Sequence, residues 1–143
     1  MYTKLIEQYE KLTENSQYNK GAYLIANELG LTMKVGDSEY KKHFMSDKDS
    51  RYVFKITLKK GGKQFTFNFG QSIAEGSNEP TLYSVLTCLQ KYDVGTFENF
   101  CDDFGYDYDS RTAEKTYKAV VKEFEGMQRL FDSAELELLQ IIQ

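Results

Sequence analysis

His43, Cys88 and Cys101 are the side chains best suited to nucleophilic or acid–base chemistry in this chain of 143 residues. A Cys–His pair would need the imidazole to take the thiol proton and a third group to orient the ring. His43 is the single histidine and sits beside Lys41 and Lys42 in a charged stretch, where a solvated loop residue is the simpler reading. Cys88 lies among Val85, Leu86 and Leu89 at helical spacing, and both cysteines read as small, reduced core residues. Zinc wants about four clustered Cys/His ligands, and one His with two Cys falls short. The acidic run from Asp102 to Ser110 invites a test for calcium. An EF-hand beginning at Asp107 needs glycine at position 112 and glutamate at 118, where Thr112 and Lys118 stand, so only a weak, non-EF cation site is left. Gly61-Gly62 lacks the Lys-Ser/Thr of a P-loop, and there is no Gly-x-Ser-x-Gly elbow. Carboxylates are plentiful, but nothing selects a glycosidase-like pair. No catalytic, cofactor-binding or metal-ligating set emerges, and binding rather than catalysis is the expectation.

Charge offers two candidate binding surfaces. Residues 1–70 carry 12 Lys/Arg against 8 Asp/Glu, and residues 71–143 carry 6 against 14, so the halves differ in sign. Between Glu75 and Asp109 eight carboxylates face one base, Lys91. Asp93, Glu98, Asp102, Asp103 and Asp107 are the candidate partner-binding residues of this stretch. Such a field repels nucleic acid and attracts a basic protein surface. The competing explanation is helix capping and solvated helix faces. The second surface is basic: Lys55, Lys59, Lys60 and Lys63, joined by Lys41 and Lys42, form the alternative nucleic-acid-binding set. Readers of single strands add stacking aromatics to such a face, and here the aromatics alternate onto the opposite side.

The elements that must carry these groups are legible. A helix is expected over Thr3 to Glu14, with Thr3 as its cap, and a second over Lys20 to Leu29 ended by Gly30. Leu31, Met33 and Val35 alternate with polar residues, as do Tyr52, Phe54, Ile56 and Leu58, then Phe65, Phe67 and Phe69. Period two of this kind marks half-buried strands. Gly61-Gly62 predicts a two-residue type I′ hairpin. That loop sets Leu58 opposite Phe65, Ile56 opposite Phe67 and Phe54 opposite Phe69, all on one face. Residues 36–50 are expected to form a long charged loop, with some strand extension. Pro80 suits the first turn of a helix reaching Lys91, and Thr96 caps a short one stopped by Gly105. Asp109 or Ser110 caps the longest, from Arg111 to Phe131, striped by Ala113, Tyr117, Val120, Phe124, Met127 and Phe131. A last helix carries Ala134, Leu136, Leu139, Ile141 and Ile142. Helices segregated around a run of strands define an α+β class, with residues 1–143 as one domain: a helical segment 1–30, a meander 31–70 packed against the long helix, and a helical region 80–143.

Two further observations concern setting. No signal peptide and no apolar run of about 20 residues is visible, which points to a cytoplasmic protein without a membrane partner. The segment from Pro80 to Asp93, followed by Gly95-Thr96-Phe97-Glu98-Asn99-Phe100-Cys101, Phe104-Gly105-Tyr106-Asp107 and Asp109-Ser110-Arg111, resembles a group of small phage- and prophage-encoded proteins. Phe67-Asn68-Phe69-Gly70-Gln71-Ser72 fits the same pattern, and the likeness covers roughly residues 31–132. Most members are uncharacterised, so the resemblance implies a genetic setting and transfers no site residue. It implies the host cytoplasm and a protein that disarms a host protein or defence ribonucleoprotein by stoichiometric binding, as anti-CRISPR proteins do.

Overall fold

The computed structural model describes residues 2–44, 46–71 and 78–142, with backbone alone at 46–49 and at 90. Ser72 and Glu75, which figure in the resemblance and in the acidic stretch, lie outside them. In chain order the elements are α1 (Thr3–Glu14), α2 (Tyr18–Leu29), β1 (Leu31–His43), β2 (Ser46–Lys60), β3 (Lys63–Gln71), α3 (Leu82–Cys88), a 3-10 turn (Leu89–Tyr92), α4 (Phe97–Phe104), α5 (Arg111–Gln128) and α6 (Ser133–Leu139). The strands form an antiparallel sheet in the order β1-β2-β3, and the class is α+β.

The β2–β3 register follows from its turn and its pattern together. Phe54 pairs with Phe69, Ile56 with Phe67 and Leu58 with Phe65. Five of the six are at most 3 % exposed, and Phe65 is half-buried. Lys55, Lys59, Gln64 and Thr66 lie on the other, open face, where the Thr57 and Thr66 hydroxyls meet at 2.9 Å. The turn itself differs from expectation. Gly61 has φ 60° while Gly62 is not in the left-handed region, the pattern of a II′ rather than a I′ turn.

Residues 36–50 are not a loop. β1 and β2 continue beyond β3 as a two-stranded arm, through a bulge between Val35 and Ser38 and a second irregularity beside His43. Polar residues on both faces of this arm hide its pairing from a periodicity argument, because neither face is buried by a core.

Several helix ends are also corrected. Tyr2, not Thr3, precedes α1, and no side chain caps it. α2 starts two residues earlier than expected and ends at Gly30, whose φ of 69° needs glycine's freedom. Thr81 caps α3 through the Ser84 N–H, leaving Pro80 outside the helix. Thr96 caps α4 and Ser110, rather than Asp109, caps α5. In α6 Leu138 is buried and Ala134 exposed, so the inward set differs by one residue from the expected one. An Asp132–Glu135 capping box starts this helix. The long helix lies on β3 where Gly126 meets the Phe65 ring, so closely that an added Cβ would overlap the ring edge. One contiguous core runs from Tyr9 to Ile142 and draws on all six α-helices and the sheet.

Candidate functional site

The acidic candidates divide between two places. Glu98 stands in the first turn of α4 and Asp102 one turn later, while Asp107 follows the helix stop at Gly105. Glu98 and Asp102, one helical turn apart, both act on Tyr108 and so share its side of α4, and Asp107 joins them only in raising the Cys101 thiol. Tyr108 is 58 % exposed, yet its hydroxyl donates to Asp102 Oδ1 at 2.6 Å. That bond, with the neighbouring charge, raises the Tyr108 hydroxyl above its ordinary range. Asp93 lies apart, lining an open groove of about 440 Å³ with Leu86, Leu89, Phe124, Leu136, Leu139 and Gln140. Asp103 is exposed in the last turn of α4. Among the described residues none of these five carboxylates has an ion-pair partner within 4 Å.

The basic candidates are less available than their number implies. Lys60 bonds Glu135 at 3.0 Å in a largely buried pair, and Lys63 donates to the Arg129 carbonyl at 3.3 Å. Both tie the hairpin to the C-terminal helices. Lys41 pairs with Glu39 at 3.2 Å on the arm. Lys55 and Lys59 remain on the open sheet face, joined there by Lys34, and Lys42 is exposed on the arm.

His43 is not the solvated residue its sequence context suggests. Its ring packs on Gly70, where an added Cβ would come within 2.8 Å of Nδ1. Its Nε2 lies 3.2 Å from the Asn68 carbonyl oxygen, which can only accept, so the proton is on Nε2. Burial, aided by Arg51 and Lys41, lowers its pKa to about 4. Next to it Phe44 meets Tyr92 and Phe104 at ring distances of 5.1 and 5.5 Å. The tip of the arm thus folds back across the edge of β3. A base needs a proton acceptor poised near neutrality and oriented by a carboxylate. This imidazole is bound to a backbone carbonyl and held neutral far below that range.

Cys101 is 1 % exposed, and burial together with Asp102, Glu98 and Asp107 raises its thiol, the reverse of an activated nucleophile. Cys88 is partly buried against the core rather than within it, and the two cysteines form no disulfide with each other. Among the described residues no group of three or more His, Cys, Asp or Glu is placed to hold a metal ion. No helix among them is long and apolar enough to cross a membrane.

Four side chains of note have no local sequence signal. Tyr108 belongs to the acidic patch only because the stop at Gly105 turns the chain back on α4. The Tyr40 and Tyr52 rings meet across the arm at 5.1 Å, tilted by 56°, a pairing that needs the arm's strands. Glu123 on α5 is half-buried, and desolvation lifts its carboxyl to about 7.

The fold and this surface define an α+β domain with an acidic helix, α4, whose Asp102 holds the Tyr108 hydroxyl from the turn that follows. No protein-family model matches the chain, and no curated protein or solved structure matches it either.

Proposed function

We propose that this protein acts by stoichiometric binding, presenting Glu98, Asp102 and Asp107 with Tyr108 to a basic surface on a partner protein. The observation that carries the reading is the Tyr108–Asp102 bond: it fixes an exposed aromatic ring beside carboxylates that have no ion-pair partner within 4 Å among the described residues. Tyrosine fixed in place contributes large contact area at low entropic cost, and unpaired surface charge steers association. Asp103 adds to the field from the end of the same helix, and Asp93 extends it toward the groove. The phage setting implied by the resemblance makes a host nucleic-acid-handling defence complex, such as a CRISPR–Cas ribonucleoprotein, the partner of this proposal. Proteins of that kind carry basic grooves that an acidic domain can occupy.

Binding tests this directly. Tagged protein incubated with host lysate should retain a basic partner, released by raised salt. The triple reversal Asp102→Lys, Asp103→Lys and Asp107→Lys should remain folded and lose it. Undiminished capture by the folded triple variant would remove the acidic mechanism. The rival, nucleic acid on the lysine face, predicts a gel shift at low salt that Lys55→Glu with Lys59→Glu abolishes. Two of its six lysines already serve the hairpin's attachment to α5 and α6.

A further inference from the structure

The sheet has two edges, and they are finished differently. On β3 the Asn68 carbonyl is taken by the Tyr92 hydroxyl and His43 Nε2. On β1 no outward backbone bond is made by residues 31–42 among the described residues. The direction of each backbone group follows from the hairpin. A two-residue loop makes Lys60 and Lys63 a hydrogen-bonded pair, and bonding alternates from there. Even-numbered residues of β2 therefore bond to β3 and odd-numbered ones to β1. Two observations agree with this phase. Asn68 offers its carbonyl outward, and the Tyr40 and Tyr52 rings lie close at 5.1 Å, as side chains of the non-bonded pairs of a ladder do.

Leu31, Met33 and Val35 then turn their N–H and C=O groups to solvent, and after the bulge Ser38, Tyr40 and Lys42 do so. The two sets are mirror images about a point between Gly36 and Asp37. We infer that β1 pairs antiparallel with β1 of a second copy of this chain, forming one continuous six-stranded sheet. In that register Met33 faces Tyr40 and Val35 faces Ser38 on the aromatic side, covering a tyrosine that is 57 % exposed. Lys34 faces Glu39 and Thr32 faces Lys41 on the other side, and symmetry repeats each pair. The bulge falls on the two-fold axis. A slip of one residue turns bonding groups away from each other and mixes the faces. A slip of two in one direction sets Lys34 against Lys41, and in the other it takes the bulge off the axis and sets Val35 against Gly36. Charged residues and a bulge blunt an edge against unrelated strands; here the same charges select a copy of themselves.

Sedimentation equilibrium across a concentration series decides the matter. The chain should move from 16.6 kDa toward twice that mass. Lys34→Glu and Glu39→Lys should each weaken the dimer about tenfold or more, since each places like charges opposite one another twice. The double reversal should restore it. Tyr40→Pro removes an outward N–H that the monomer's sheet does not use, so it should abolish the dimer while circular dichroism stays unchanged. A monomer at every concentration would overturn the inference. So would a dimer indifferent to both single reversals, or one that the double reversal fails to restore. The charge-reversal series stands whether or not the proline variant folds.

Discussion

The Tyr92 hydroxyl and the His43 imidazole converge on one atom, the Asn68 carbonyl oxygen, at 2.5 and 3.2 Å. Tyr92 reaches it from the 3-10 turn after α3, and His43 from the tip of the β1–β2 arm. Between them they fasten the arm and the helical region to the same edge of the sheet. Tyr92 is fully buried, and burial raises its hydroxyl far above the ordinary range, with Glu123 and Cys88 adding to the shift.

Tyr92→Phe deletes one donor and leaves the carbonyl with its histidine partner. The expected cost is about 1 kcal/mol, read as a lower midpoint in urea with an unchanged slope. A neutral result would show that the oxygen is satisfied by His43 alone.

Gly70→Ala puts a methyl group where the His43 ring now lies. The ring must leave, and the arm tip with it, at a cost of about 1–3 kcal/mol. Amide exchange should quicken across 38–44 while 54–58 stay protected. Uniform exchange across both segments would mean that the arm is not held by this contact.

Acid should act through His43. Its pKa is about 4 in the folded state against an ordinary 6.5, so between those values the unfolded chain binds a proton that the folded chain does not. Stability from the neutral ring is complete above pH 6.5, declines as pH falls, and levels off near 4, a span of about 1–3 kcal/mol. His43→Gln should flatten this limb in thermal melts taken from pH 7 to 4.

Glu123 works in the opposite direction. Desolvation raises its carboxyl from 4.5 to about 7, so across that interval the folded chain keeps a proton that the unfolded chain has lost. Stability therefore falls as pH rises through this window. Glu123→Gln should raise the stability most above pH 7, by about 1–2 kcal/mol allowing for partial exposure, read as a higher melting temperature, and change little at pH 4. Equal gains at both pH values would mean a packing effect instead.

Glu135 combines two tasks: its side chain accepts from the Asp132 N–H at 2.9 Å and pairs with Lys60 at 3.0 Å. Glu135→Ala breaks both and should cost about 2–3 kcal/mol. Glu135→Gln keeps the helix start and removes the charge, so it should cost roughly half as much in the same denaturation assay. A Lys60→Met variant that melts early yet binds nucleic acid like the parent would confirm a structural lysine.

The parts of this molecule readable from sequence are those set by near neighbours. The Gly61-Gly62 loop and the alternation of Phe54 to Phe69 fixed a register that is matched pair by pair. The stripe from Ala113 to Met127, on a helix that stops at Gln128 rather than at the expected Phe131, and the stops at Gly30 and Gly105 depend on spacings of three or four residues and on backbone freedom at one position. Charge content could be counted but not located. Lys60 and Lys63 read as free lysines because Glu135 and Arg129 lie far off in the chain.

Tertiary structure alone decided three things. The arm formed from residues that show no apolar face, since strand pairing there rests on backbone bonds and a cross-strand tyrosine pair rather than on burial. His43 became a packed, neutral ring because Gly70 and Asn68 were brought beneath it. Tyr108 joined the acidic patch because one left-handed glycine reversed the chain after α4. Local pattern reports which face of an element avoids water; which distant side chains then meet depends on how those faces are stacked, and no short window of sequence contains that.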